Sequence, residues 1–205
     1  MGKFITFEGG EGCGKTTLIT NLKNYFNKNN INYIATREPG GLKICEDIRN
    51  ILKYSTDKID SRAELLLFSA SRAELVEEVI LPSIKQGKVV ICDRFFDSTR
   101  VYQGYTGGLD DEEIMKITNF ATQGLIPDIT FYLDIDPELA FSRKGGRDKG
   151  DRIEERDFEF HQKVREGYLK LAQNESRFVL IDATKSPEEI LQIVIEKLRQ
   201  EDIIE

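Results

Sequence analysis

The sequence has no apolar run of 18 residues, so no segment is expected to span a membrane. Its opening residues, MGKFITFEGG, hold an apolar stretch too short for a secretory leader, and Glu8 interrupts it. Histidine is almost missing, with His161 alone. Cysteine is sparse too: Cys13, Cys45 and Cys92 fall at irregular spacing, with no C-x-x-C pair. A structural zinc site and a disulfide framework are therefore not expected, and the cysteine usage suits a reduced, cytoplasmic protein. Basic charge is in deficit, with 29 Lys+Arg against 36 Asp+Glu and a net charge of −7. Duplex nucleic acid favours basic surfaces, so it is not an expected partner. A local basic patch could still hold a small anion. No repeat, low-complexity tract or linker breaks the 205 residues, and one domain over 1–205 is expected.

What is present is an alternation. KFITFE (3–8), INYIAT (31–36), KVVICD (88–93), DITFYLDI (128–135) and RFVLID (177–182) read as strands. Four of them are nearly continuous in apolar residues, as strands buried on both faces should be. Helix-length segments separate them at 15–28, 41–53, 61–85, 111–123, 137–143, 155–173 and 186–200. Ser186-Pro187-Glu188-Glu189 is a helix start, with Ser as N-cap and Pro in the first helical position. The pattern predicts an α/β fold, a parallel sheet with helices on both faces. RKGGRDKGDR (143–152) is the most irregular stretch, charged, glycine-rich and without apolar periodicity. Alone it reads as a solvated loop.

Between the first strand and the first helix lies Gly9-Gly10-Glu11-Gly12-Cys13-Gly14-Lys15-Thr16, followed by Thr17. This fits the P-loop pattern G-x-x-x-x-G-K-[ST] in the strand–loop–helix setting the motif requires. Glycines let backbone N–H groups curl around a phosphate chain, and the helix N-terminus adds partial positive charge. Lys15 is placed to reach the β- and γ-phosphates of ATP, and the Thr16 hydroxyl to ligate Mg²⁺.

A P-loop does not name a reaction. Asp93 ends a buried strand and could organise the Mg²⁺ together with Thr16. Arg94 follows it, and a guanidinium at that edge suits the phosphate of an acceptor. The same pair would also read as a strand-end ion pair. A GTPase would need an N-K-x-D segment, which does not occur. Motor and transport ATPases usually need further domains, for which this chain has no room.

Several motifs together resemble the thymidylate kinase family. They are FEGGEGCGKTT, TREPGG (36–41), EDIRNIL (46–52), LLLFSASRAELVEEVILP (65–82), DRFFDSTRVYQG (93–104), the 143–154 segment and IDAT (181–184). The resemblance covers nearly the whole chain. It implies a P-loop NTPase fold with a five-stranded parallel sheet, a mobile lid and a homodimer. It implies phosphorylation of dTMP to dTDP with ATP and Mg²⁺.

The resemblance also implies roles. Phe68 stacks on the thymine and Arg72 reads the base; four apart on one predicted helix, they share a face. Arginine offers only donors, which suits thymine O4 and conflicts with the amino group of cytosine. Thr99 and Gln103 match base-contacting positions, where a hydroxyl or amide carbonyl can accept N3–H. Tyr102 matches a tyrosine near the sugar C2′, and Ser98 precedes this group in the same motif. Arg49 and Arg94 match acceptor-phosphate contacts. Arg37, Glu38 and Pro39 match the loop lining the acceptor site. Glu11 matches an acid between phosphates, metal and acceptor.

Some relatives carry an arginine where this chain has Gly12, and those lacking it place arginines in the lid. Arg143, Arg147 and Arg152, with Lys144 and Lys149, fit the second, bacterial-type pattern. Arg147 is the expected lid cation for the transferring phosphoryl group, and Arg143 is expected near the adenine. The acceptor phosphate is already anionic, so alignment and charge neutralisation suffice without a general base. Two other readings stay open on sequence: a kinase for another nucleoside monophosphate, and a non-catalytic nucleotide-responsive P-loop module.

Overall fold

A computed structural model describes residues 2–144 and 156–205. Strands β1 (Lys3–Glu8), β2 (Tyr33–Arg37), β3 (Val89–Asp93), β4 (Ile129–Asp134) and β5 (Phe178–Asp182) form one parallel sheet in the order β2-β3-β1-β4-β5. Their apolar runs feed two cores. Ile5, Phe7, Ile91, Phe131 and Leu133 join one; Phe4, Val90 and Cys92 join the other. Adjacent residues of a strand point to opposite faces, which is why the runs hardly alternate in polarity.

Helix α1 (Lys15–Lys28) covers the first face with Leu18, Leu22 and Phe26, beside the late helix α9 (Pro187–Gln200) with Val194 and Leu198. The predicted cap holds α9: Glu189 N donates to Ser186 Oγ at 3.2 Å, and Ser186 N donates to Glu189 Oε2 at 2.9 Å. On the opposite face, α2 (Lys43–Tyr54) and α3 (Ser61–Leu75) lie against each other. The helix expected over 61–85 does run that far, but in three pieces. A widened π turn, Val76–Ile80, separates α3 from α4 (Leu81–Lys85). Pro82 supplies no N–H to the helical ladder, and the turn before it widens.

The sequence pattern gave no helix over 96–105, yet α5 (Phe96–Thr99) forms there and continues as a second π turn, Arg100–Tyr105. Much of its buried face is polar, with Asp97, Thr99 and Gln103 all inside, and this hides the apolar period. Arg177 compensates Asp97 with two bonds of 2.7 Å and also donates to Thr130 Oγ1 at 2.6 Å, tying α5 to the far side of the sheet. Helices α6 (Asp111–Thr122), α7 (Pro137–Lys144) and α8 (Phe158–Asn174) complete the order. Tyr168 of α8 stacks on Tyr132 of β4, with ring centroids 4.9 Å apart.

Register concentrates function at one end of the sheet. Phe7 of β1 pairs with Asp93 of β3, Arg94 N bonds Phe7 O, and Glu38 N bonds Asp93 O, both at 3.0 Å. The loops leaving β1, β2 and β3 therefore converge at the C-terminal strand ends, where α/β sheets place ligands.

Candidate active site

The P-loop leaves β1 through residues whose backbone needs glycine. Gly12 and Gly14 have φ of 73° and 95°. Gly14 caps α1 without a side-chain bond, and no acidic residue stands in the first turn. No acidic side chain of that first turn competes with an anion at the α1 N-terminus. Lys15 is buried, and its Nζ donates to Gly9 O at 3.1 Å and Gly10 O at 3.3 Å. Burial and Arg94 act against its charge, but Cys13, Asp93 and Glu11 outweigh them and hold the ammonium above its usual range.

Asp93 and Arg94 face the loop from β3. Arg94 sits at φ 69°, in the left-handed region that non-glycine residues seldom adopt. Its Nη2 donates to Glu11 Oε1 at 2.8 Å, and its Nη1 to Ser98 Oγ at 3.3 Å and Tyr168 Oη at 3.2 Å. Behind it Glu8 is fully buried and accepts from Phe95 N at 2.8 Å, Ser98 Oγ at 2.6 Å and Tyr168 Oη at 2.8 Å. The Asp93-Arg94 dipeptide is thus no strand-end ion pair: Arg94 pairs with Glu11. Asp93 Oδ1 is buried and has no hydrogen-bond partner among the described residues. That orphaned oxygen and the Thr16 hydroxyl in the same cavity wall are hard donors that fit Mg²⁺.

A cavity of about 460 Å³ runs from the P-loop between α2, α3 and α5. Phe68 and Arg72 line it from α3. Arg72 is 1% exposed; its Nε donates to Glu38 Oε2 at 2.8 Å and its Nη2 to Thr99 Oγ1 at 3.1 Å. Its Nη1 is buried and makes no hydrogen bond among the described residues. Burial, with Glu8 adding, pushes the Glu38 carboxyl up to about 7 against the pull of Arg72. The Glu38-Pro39 peptide is cis, and Arg49 Nη1 donates to Pro39 O at 2.9 Å. From the opposite wall come Ser98, Tyr102 and Gln103. The Tyr102 ring lies 5.5 Å from the Arg94 guanidinium, and its Oη is buried without a partner among the described residues. Gln103 Nε2 donates to Glu64 Oε2 at 3.2 Å.

Not every expected residue faces this cavity. Gly9 and Gly10 serve through carbonyls that hold Lys15, and Thr17 is exposed on the first turn of α1, outside the lining. Arg37 lines the cavity but pairs with Glu46 at 2.7 Å. Arg143 also lines it, and donates to Ala183 O at 2.7 Å and Thr184 O at 3.1 Å, which pins the end of α7 to the IDAT segment. Arg147, Lys149 and Arg152 lie outside the described residues.

The family model described as thymidylate kinase matches residues 7–194. The chain belongs to the thymidylate kinase family. It is 46% identical over 200 residues to the thymidylate kinase of Thermoanaerobacter sp. (strain X514), covering 97% of this chain and 98% of that one. It is 48% identical over 189 residues to that of Carboxydothermus hydrogenoformans, covering 92% and 93%. The crystal structure of thymidylate kinase from Ehrlichia chaffeensis superposes with a TM-score of 0.79 at 37% identity, over 96% of this chain and 98% of that one. The motif-level resemblance to thymidylate kinases is thereby borne out.

Glu8 and Tyr168 are among the residues of this thymidylate kinase site that the sequence did not point to. Glu8 carried a signal, a carboxylate ending an otherwise apolar strand. Tyr168 carried none, since its partners stand 160 and 74 positions away.

Proposed function

We propose that the protein transfers the γ-phosphoryl group of ATP to dTMP, giving ADP and dTDP. The carrying observation is the Arg72 Nη1 donor, buried without a hydrogen-bond partner among the described residues, in a cavity that Phe68 also lines. A buried donor left unmade is costly, and the thymine O4 acceptor would satisfy it. Gln103 and Thr99 line the same cavity, and their side-chain oxygens would accept N3–H. Tyr102 would crowd a ribose 2′-hydroxyl and so favour the deoxy sugar.

Lys15 and the open N-terminus of α1 hold the donor phosphates. Arg94, fixed from behind by Ser98 and Tyr168, holds the acceptor phosphate, with Arg49 at the cavity wall. An oxygen of that phosphate attacks the γ-phosphorus in line, and the bond to the bridging oxygen of ADP breaks. The nucleophile is already anionic, so the chain supplies alignment and positive charge rather than a base. Thr16 and Asp93 would hold Mg²⁺, which neutralises phosphate charge when bound. Arg147 is our proposed further cation, and Arg143 supports the adenine side from its place against Ala183 and Thr184.

A panel of acceptors with ATP tests this reading: dTMP, dUMP, dCMP, UMP, GMP and thymidine. The expected order puts dTMP first. Rapid use of thymidine or of a purine nucleotide would overturn it, and hydrolysis of ATP indifferent to all six would favour a nucleotide-responsive module.

We further propose that the protein acts in the cytoplasm as a single domain and as a homodimer. No helix among the described residues is long and apolar enough to cross a membrane, and Cys13, Cys45 and Cys92 are unpaired and buried. Phe120 of α6 is 88% exposed and Leu66 of α3 57% exposed, on helices that pack together. Such apolar exposure suits a second copy of the chain. Sedimentation of Phe120→Glu against the parent checks it.

A further inference from the structure

Glu64, Phe68 and Arg72 follow one another at four-residue steps on α3, so they form one stripe. Phe68 and Arg72 line the acceptor cavity. One turn toward the helix N-terminus, Glu64 Oε2 accepts the amide of Gln103 at 3.2 Å. Gln103 is 3% exposed and lines the same cavity from the π turn after α5.

An amide has a donor end and an acceptor end, whereas an ionised carboxylate only accepts. The Gln103 amide can therefore meet Glu64 in one sense only, NH₂ first. Its carbonyl end is the one left for the cavity. A thymine or uracil ring offers a donor at N3, which that carbonyl can accept. A cytosine ring offers an acceptor at N3, and two acceptors facing each other in a desolvated pocket repel.

We infer that Glu64 is a specificity-determining positioning residue: it fixes the Gln103 amide in the orientation that accepts from N3–H of the pyrimidine. It touches no substrate. This filter is separate from Arg72, which addresses O4, and it senses the proton on N3 rather than the C5 methyl. The inference rests on the reading of the cavity as a thymine site.

Glu64→Met keeps a similar length but removes the acceptor. Glu64→Lys presents only donors and draws the carbonyl end of Gln103 instead. Both variants are assayed with dTMP, dUMP and dCMP, and thermal melting confirms that each is folded; Glu64→Met alone suffices if Glu64→Lys does not fold. The preference in kcat/KM for dTMP over dCMP should fall about tenfold in Glu64→Met and further in Glu64→Lys. Use of dUMP should decline in parallel with dTMP, and the KM for ATP should not move. A purely structural role would slow all three acceptors alike. A parent enzyme with no preference for dTMP over dCMP overturns the thymine reading and this role with it. A parent that has the preference, and keeps it through both substitutions, overturns the role of Glu64 alone.

Discussion

Tyr168 Oη lies 2.8 Å from Glu8 Oε2, joining the last residue of β1 to the middle of α8. Ser98 Oγ stands 2.8 Å from the same phenol, and Arg94 Nη1 donates to it at 3.2 Å. Burial pushes the Glu8 carboxyl above its usual range, with Asp97 adding, while Arg94, Ser98 and Phe95 N pull the other way. The phenol and the serine hydroxyl thus stand between a buried carboxylate and a guanidinium and hold the second in place.

Tyr168→Phe keeps the ring stacked on Tyr132 and removes only that hydroxyl. Leaving a buried charged acceptor short of one donor should cost about 1–3 kcal/mol in urea denaturation. If Arg94 holds the acceptor phosphate as proposed, the KM for dTMP should rise several-fold with the KM for ATP unchanged. Lost stability with unchanged steady-state constants would make Tyr168 a packing residue only.

Gly12→Ala tests the close approach of the P-loop to α7. A Cβ at Gly12 would stand 2.8 Å from Ala140 O, on a backbone at φ 73° that side chains rarely adopt. About 1 kcal/mol or more of stability should be lost, and ATP affinity should fall with it. A variant with parental melting temperature and ATP binding would show that α7 yields freely.

Arg72→Ala should weaken dTMP use far more than ATP use, as separate Michaelis constants would show. It also strips a buried carboxylate of its partner, since Glu38 and Arg72 stand 2.7 Å apart and both are almost fully inside. Breaking such a pair costs up to about 3–5 kcal/mol where Glu38 is ionised, and less below about pH 7, where it holds a proton. Arg72→Ala combined with Glu38→Gln should regain much of the melting temperature but not the dTMP affinity. Recovery of both would place Arg72 in the scaffold.

The raised Glu38 pKa, about 7 in the fold against 4.5 for the ordinary group, has a definite sign. Between those values the folded protein keeps a proton that the unfolded chain has released. Its contribution to stability is therefore full below about 4.5 and declines as pH rises through about 7. Glu38→Gln lacks this titration. The melting temperature of the parent should lose ground to that of Glu38→Gln as pH rises through this window. A constant difference between the two would contradict it.

The strands were legible because apolar runs bounded by turns have few other uses, and the P-loop because its glycines sit between a strand and a helix. Phe68 and Arg72 were legible as one face because a helix fixes that spacing. Helix α5 was not, because Asp97 is buried by virtue of Arg177, 80 positions further on. Glu8 and Tyr168 meet for the same kind of reason. Local pattern reports which face is apolar; it cannot report which distant ion makes a polar face buriable.

Strand β1 is the earliest in the sequence and lies at the centre of the sheet, between β3 and β4. Its Thr6 hydroxyl meets that of Thr130 at 2.8 Å across 124 positions. Closing such long loops precedes any reward from pairing, so this sheet forms slowly compared with one built from neighbours. A chain still emerging from the ribosome holds β1 exposed until β3 is made, and the loop after it has no frame to rest on. Competence to bind nucleotide is therefore acquired late in synthesis, after β1 has found β3 and β4.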